Sequence, residues 1–303
     1  MKNILLIGPE FFGYTDRIEQ KLLERNNVEK LITFYPKGII DRINKEEGLK
    51  SYYEKVVINS NFDQVIVING KYISSEFLDR LRQKNLKAKF SLYIWDDFKN
   101  ANHSDLFLNR FDQIFTYSKH DSEKYSNLIY QPFFYSDFDY KIKQKDISLS
   151  FVGSLHSNRL KIYKKISNLM TGDKYLYLYS DIINFFKNSK NWPLLFNVKF
   201  KSLPYSDYID ILSRSKISIE IPHVNQKNIT TRAIEVLGSK TKLITTSLNI
   251  QECDFYKEAN IFILKDNNYD SIEDWSKIPY EELDPIILDK YSIDTWCKIL
   301  TQQ

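Results

Sequence analysis

Short runs of apolar residues recur along the chain, and most are followed by longer segments in which apolar positions return every three or four residues. The first pattern marks strands buried on both faces and the second marks amphipathic helices. Their alternation predicts parallel sheets covered by helices. One series places strands at residues 4–7, 31–34, 64–68, 90–94 and 113–116, with helices at 14–26, 48–57, 74–82 and 119–126. Periodicity stops between Gln131 and Lys145, where a polar stretch rich in Lys and Asp follows Pro132-Phe133-Phe134-Tyr135. A second series places strands at 149–153, 174–179, 197–200, 216–221, 243–246 and 261–264, with helices at 157–170, 205–214 and 230–237. Gly238 reads as a left-handed stop to the last of these helices. Ile293, Trp296 and Leu300 then fall at helical spacing near the end. The pattern predicts two α/β domains, residues 1–138 and 139–285, with a C-terminal helix within 286–303 that packs back towards the first domain.

A length of 303 residues is enough for two such cores. Aromatic residues make up 15%, with 21 Tyr and 20 Phe, rings that fill cores or stack on flat ligands. The 43 basic and 39 acidic residues are interspersed and leave a net charge of +4. Nucleic acid, which calls for a concentrated basic stripe, is therefore not expected, whereas a phosphorylated small molecule or an anionic membrane surface fits. Lys161, Lys164 and Lys165 form one basic cluster, suited to peripheral contact with the inner face of the cytoplasmic membrane or simply to solvent. Cys253 and Cys297 lack metal or redox spacing, which points to a reducing compartment. The apolar run 4–7 is too short for a signal-peptide core, and no run approaches a membrane span of about 18 residues, so a cytoplasmic location is expected.

The first strand–helix turn, Gly8-Pro9-Glu10-Phe11-Phe12-Gly13, lacks the spaced glycines of a dinucleotide site, and the chain has no phosphate-binding P-loop. Gly13 can still bring backbone close to a ligand, or serve only a tight turn. In the second series Phe151-Val152-Gly153-Ser154 leads to Arg159 and Lys161. Strand-end glycine, helix N-terminus and cation together neutralise a diphosphate. A loop from Pro222 containing His223 leads to a helix that carries Thr231, Arg232 and Glu235. Arg232 and Glu235, three apart, share one side of that helix. The carboxylate suits ribose or sugar hydroxyls and the guanidinium suits leaving-group charge. A plain surface pair, worth about 0.3–0.5 kcal/mol, is the alternative. His103, His120, His156 and His223 are too scattered for a metal site, although His156 and His223 fall in the two loops just described. A general base must reach an acceptor hydroxyl, and Glu10, Asp16, Asp96 and Asp97 all lie at or near strand C-terminal ends. Asp16 is the first choice among them, and an acid favoured at a helix start is its alternative. Trp95 with Asp96 and Asp97 suits an acceptor groove, or Trp95 only packs.

The segment Ile229-Thr230-Thr231-Arg232-Ala233-Ile234-Glu235-Val236-Leu237-Gly238 resembles the donor-site helix of GT-B glycosyltransferases. More narrowly it is similar to the group of spore-maturation-type and capsule or lipopolysaccharide transferases. Tyr93-Ile94-Trp95-Asp96-Asp97, Phe151 to Arg159 and Leu243-Ile244-Thr245-Thr246 agree in order with the same group. The resemblance implies a bacterial enzyme of α/β GT-B architecture, two Rossmann-like domains facing each other across a cleft. It implies a uridine-linked nucleotide-sugar donor held by the second domain through Gly153, Ser154, Arg159, His223, Thr231, Arg232 and Glu235. Glu235 would hold the ribose, and Arg159 or Arg232 the diphosphate. The acceptor, a saccharide or lipid-linked saccharide of surface polysaccharide synthesis, would face Gly13, Trp95, Asp96 and Asp97, with Asp16 and Arg232 as catalytic residues. No cofactor and no metal are implied. Many retaining relatives carry two glutamates eight residues apart, but Lys227 stands eight before Glu235. Retention is thus implied by the resemblance alone, and Asn225, Gln226 or Asn228 are left to contact the sugar. A nucleotide-sugar epimerase of the same fold and a catalytically idle nucleotide-sugar-binding module are the rival readings.

Overall fold

Ile4, Leu5, Leu6 and Ile7 are fully buried, as an apolar run is when helices cover both faces of its sheet. The computed structural model describes residues 1–33, 53–57, 61–71, 73–96, 98, 105–136, 140, 143–156, 158–222, 228–266 and 268–302. They form two units, Met1–Phe133 with Ile293–Gln303, and Phe134–Ser292.

In the first unit the strands are β1 (Asn3–Pro9), β2 (Asn27–Thr33), β3 (Gln64–Ile68), β4 (Lys89–Ile94), β5 (Gln113–Thr116) and β6 (Ile129–Tyr130). They pair in parallel in the order β2-β1-β3-β4-β5-β6. Helices α1 (Tyr14–Leu23), α2 (Ser75–Lys84), α3 (Asp105–Leu108) and α4 (Lys119–Lys124) accompany them. Ser74 and Ser118 cap α2 and α4, accepting from the amides of Phe77 and Asp121 at 3.1 Å. On one face Leu5, Val65, Val67, Phe90 and Leu92 pack with Phe77, Leu78 and Leu81 of α2. Of the helix expected at 48–57, residues 53–57 are helical with Tyr53 and Val57 buried, and the rest lies outside the described residues.

In the second unit the strands are β7 (Ile147–Ser154), β8 (Lys174–Tyr179), β9 (Val198–Lys199), β10 (Ser215–Glu220), β11 (Lys242–Thr245) and β12 (Ile261–Ile263). They pair in parallel in the order β12-β11-β10-β7-β8-β9. Its helices are α5 (Arg159–Asn168), α6 (Ile182–Lys187), α7 (Tyr205–Arg214), α8 (Thr231–Ser239), α9 (Ile272–Lys277) and α10 (Pro285–Lys290). The core gathers Leu149, Phe151, Ile166, Leu178, Phe185, Ile219, Ile244 and Trp275.

Helix α8 does not stop at Gly238. It runs on to Ser239, and Lys240 takes the left-handed cap at φ 50°. Gly238 is needed for packing instead, because a Cβ there would stand 2.4 Å from Tyr140 and 2.6 Å from Tyr135.

The last helix, α11 (Ile293–Thr301), belongs to the first unit. Its Trp296 meets Tyr93 edge to face at 4.8 Å, and Lys2 and Gln64 donate to the Thr301 and Leu300 carbonyls at 2.6 Å. Among the described residues no helix is long and apolar enough to cross a membrane.

Candidate functional site

Each sheet reverses its strand order once, between β1 and β3 in the first unit and between β7 and β10 in the second. Open parallel sheets bind ligands beyond the carboxyl ends of the strands at such reversals, because the following loops diverge there. In the second unit this is where Gly153, Ser154, Glu220 and Ile221 lie.

Arg159, the first residue of α5, is buried and joins the two strand ends. Its Nε and Nη2 donate to the Ile221 carbonyl at 2.9 and 2.6 Å, and Nη1 donates to the Ser154 carbonyl and Oγ at 3.1 Å. Gly153 leaves room for the Phe151 ring, since a Cβ there would stand 2.9 Å from it. The sequence reading put this fork on a diphosphate; here it grips protein carbonyls and fixes the walls of the site.

Glu220, the last residue of β10, is 1% exposed and stands in register with Thr245 at the end of β11. Its Oε1 accepts from the Thr230 hydroxyl at 3.0 Å and its Oε2 accepts from Thr245. Thr230 also caps α8, accepting from the Ala233 amide at 3.4 Å. One carboxylate thereby ties two strand ends to a helix N-terminus. Thr231 and Arg232 open the first turn of α8 and are half-buried, whereas Glu235 is buried on the next turn. Among the described residues Arg232 makes no hydrogen bond or ion pair, so its donors are available.

Charges here are coupled. Burial pushes the Glu220 carboxyl up, against its threonine hydrogen bonds and the fields of Arg232 and Arg159. Burial, and then the like charge of Arg232, pull the Arg159 guanidinium down to about 10, while Glu220 supports it. Arg159 and Arg232 thus stand beside a helix N-terminus, whose amides and dipole favour an anion.

At the corresponding edge of the first unit, Phe12 (φ 47°) and Gly13 (φ 77°) are both left-handed, and Gly13 caps α1. The turn projects Phe11 and Phe12 outward, and Phe11 lies 5.6 Å from the half-buried Trp95 ring. Asp96 is exposed and accepts from Asn69 Nδ2 at 2.8 Å, tying the ends of β3 and β4. Asp16 accepts from Lys30 Nζ at 2.7 Å in a surface pair that Lys30 shares with Glu19. Asp97, His103, Lys227, His223, Asn225 and Gln226 lie outside the described residues.

No protein-family model matches the chain, and no curated protein matches it in sequence. Solved structures do match along its whole length. AviGT4, a glycosyltransferase involved in avilamycin A biosynthesis, superposes with TM-score 0.64 at 12% identity, over 100% of this chain and 96% of that one. The fold is GT-B. Anabaena HepE in complex with UDP-glucose gives TM-score 0.59 at 9% identity, over 99% of this chain and 95% of that one. The UDP-GlcNAc 2-epimerase of Neisseria meningitidis bound to UDP-GlcNAc gives 0.55 at 10% identity, over 100% and 99%. At these identities the likeness is one of fold, two Rossmann-like domains of the GT-B kind.

Sequence reasoning missed Glu220, and with it Thr245 and the role of Thr230. A signal was present: an acid closing the apolar strand run Ile217-Ser218-Ile219-Glu220-Ile221 has no reason to be buried unless something binds it. The partners could not be read, since Thr230 and Thr245 are 10 and 25 residues further on.

Proposed function

We propose that this GT-B chain is a glycosyltransferase that takes a sugar from a uridine diphosphate donor bound at the β7–β10 reversal. The observation that carries the reading is the half-buried Arg232, which makes no hydrogen bond or ion pair among the described residues, at the N-terminus of α8 beside the buried Glu220 and Arg159. The solved structures of this fold that hold UDP and UDP-sugars add support. In this reading Arg232 and the α8 N-terminus receive the diphosphate. Glu235 takes the ribose hydroxyls, Gly153, Ser154, Thr231 and His223 contact the donor, and Arg159 adds field while holding the walls. The acceptor is a saccharide or lipid-linked saccharide of capsule or lipopolysaccharide synthesis, set against Gly13, Trp95, Asp96 and Asp97.

The acceptor oxygen bonds to the anomeric carbon as the bond from that carbon to the diphosphate oxygen breaks, and UDP carries away the electron pair. The acceptor proton goes to Asp16 in an inverting reaction, or to the departing phosphate in the retaining course that the family resemblance implies. Charge on the leaving group is met by protein groups, so transfer is proposed to need no metal.

Calorimetry with UDP, GDP, CDP and TDP, each with and without magnesium, tests the donor site. Binding of UDP alone, unchanged by EDTA, is expected; no heat with any of them at millimolar ligand refutes it. The epimerase likeness supports a second reading, in which UDP-GlcNAc is consumed without an acceptor. Incubation with UDP-sugars separates the two: release of UDP that depends on an acceptor marks transfer, and acceptor-independent change of the sugar marks epimerisation. Tight binding with neither outcome, across a broad acceptor panel, marks a binding module.

A further inference from the structure

Helix α6 is built with an unusual polarity. Phe185 points into the core, but Ile182, Ile183 and Phe186 are all at least half exposed on the outer surface. The 3-10 helix Ser189–Asn197 packs beside it and exposes Trp192, Leu195 and Phe196, the last 96% exposed. Phe200, just after the edge strand β9, stacks on Phe186 at 6.1 Å. Seven exposed large apolar side chains thus fall within 19 residues, out of 18 such side chains among the described residues. Scattered apolar residues on a surface need no explanation, but a patch of this density does.

The charge around the patch identifies its partner. Between Asp181, which caps α6, and Asp207 the sequence contains Lys187, Lys190, Lys199 and Lys201 and no further Asp or Glu. Lys187, Lys199 and Lys201 are exposed. A second copy docked face to face would bring two sets of lysines into one contact, since a two-fold interface uses the same surface on both copies. Protein interfaces are moreover depleted of lysine. Tryptophan and phenylalanine with aliphatic neighbours, and a rim in which the exposed Lys187, Lys199 and Lys201 outnumber the exposed Asp181 and Asp207, match the boundary between headgroups and acyl chains of an anionic bilayer. We propose that the face formed by α6, the 3-10 helix Ser189–Asn197 and β9 docks the protein on an anionic phospholipid surface. Trp192, Phe196 and Ile183 enter the interface and the lysines meet phosphate. This surface shares no residue with the proposed nucleotide site and differs from the Lys161, Lys164 and Lys165 cluster.

Co-sedimentation of the full chain with phosphatidylglycerol-containing vesicles and with pure phosphatidylcholine vesicles tests this. Three exposed lysines give about a hundredfold preference for the anionic vesicles, falling as salt rises. Ile183→Ser/Trp192→Ser/Phe196→Ser changes only side chains more than half exposed. It should keep the wild-type melting temperature and lose binding at least about tenfold. Lys187→Glu/Lys199→Glu/Lys201→Glu should abolish the preference for anionic lipid. The proposal is overturned if wild type binds neither vesicle or if the apolar variant binds as wild type does. It is overturned equally if only Lys161→Glu/Lys164→Glu/Lys165→Glu removes binding. A wild-type dimer that the apolar variant dissociates, without vesicle binding, would assign the face to self-association and overturn it too.

Discussion

Glu220 shows how much one buried acid can organise. Its two oxygens hold Thr230 and Thr245, and its charge lies in the fields of Arg159 and Arg232. Glu220→Ala should destabilise the protein by about 2–4 kcal/mol, since it removes volume and leaves buried donors and a buried cation without their partner. Glu220→Gln, which keeps one acceptor, should cost clearly less; equal melting temperatures for both variants and wild type would remove this role. Arg232 and Glu235 share α8 but are expected to fail differently. Arg232→Ala should lower kcat about a hundredfold, because the charge it meets develops as the diphosphate leaves. Glu235→Gln should weaken UDP binding about tenfold with little loss of stability. Kinetics and calorimetry on the two variants check this, and full activity in both would move the donor site elsewhere. Asp16→Asn should cost about 10²–10⁴ in turnover if its carboxylate takes the acceptor proton. Normal turnover there would pass the role to Asp96 or Asp97.

At the scale of elements, local pattern located most strands and helices because burial between helices demands apolar runs and amphipathic stripes. The strands at 64–68, 113–116 and 174–179 and the helix at 205–214 have the bounds the pattern gave. Helix α6 escaped because its outer face is as apolar as its inner one, which erases the stripe. The end of α8 was misplaced for a different reason. A glycine late in a helix is a stop signal locally, but here the Tyr135 and Tyr140 rings claim the space its missing side chain leaves. Gly238→Ala should therefore lower stability by about 1–3 kcal/mol from overpacking, although alanine is the better helix former by about 1 kcal/mol. A rise in melting temperature in that variant would show that the rings yield without cost.

For the molecule as a whole, two lysines beneath the second sheet connect stability to pH. Lys145 donates to the Ser239 carbonyl and Thr241 Oγ1, and Lys242 donates to the Trp275 and Ile278 carbonyls, 3.9 Å from the Trp275 ring. Burial lowers both from 10.5 to about 8. Between those values the unfolded chain binds protons that the folded chain has released, so their contribution to stability rises with pH through that window. Denaturant titrations at about pH 7.5 and about pH 9.5 should show wild type gaining on Lys145→Met/Lys242→Met at the higher pH. A constant gap would contradict the shift. The sequence by itself determined two α/β series, the buried strands, and a helix with Thr231, Arg232 and Glu235 at its start, because periodicity and strand-end chemistry act over a few residues. Tertiary structure alone decided that Arg159 grips Ile221, 62 residues away, that Glu220 joins three elements, and that Gly238 packs against tyrosines. Those choices depend on which strand ends become neighbours, and strand order is fixed only when the whole sheet forms.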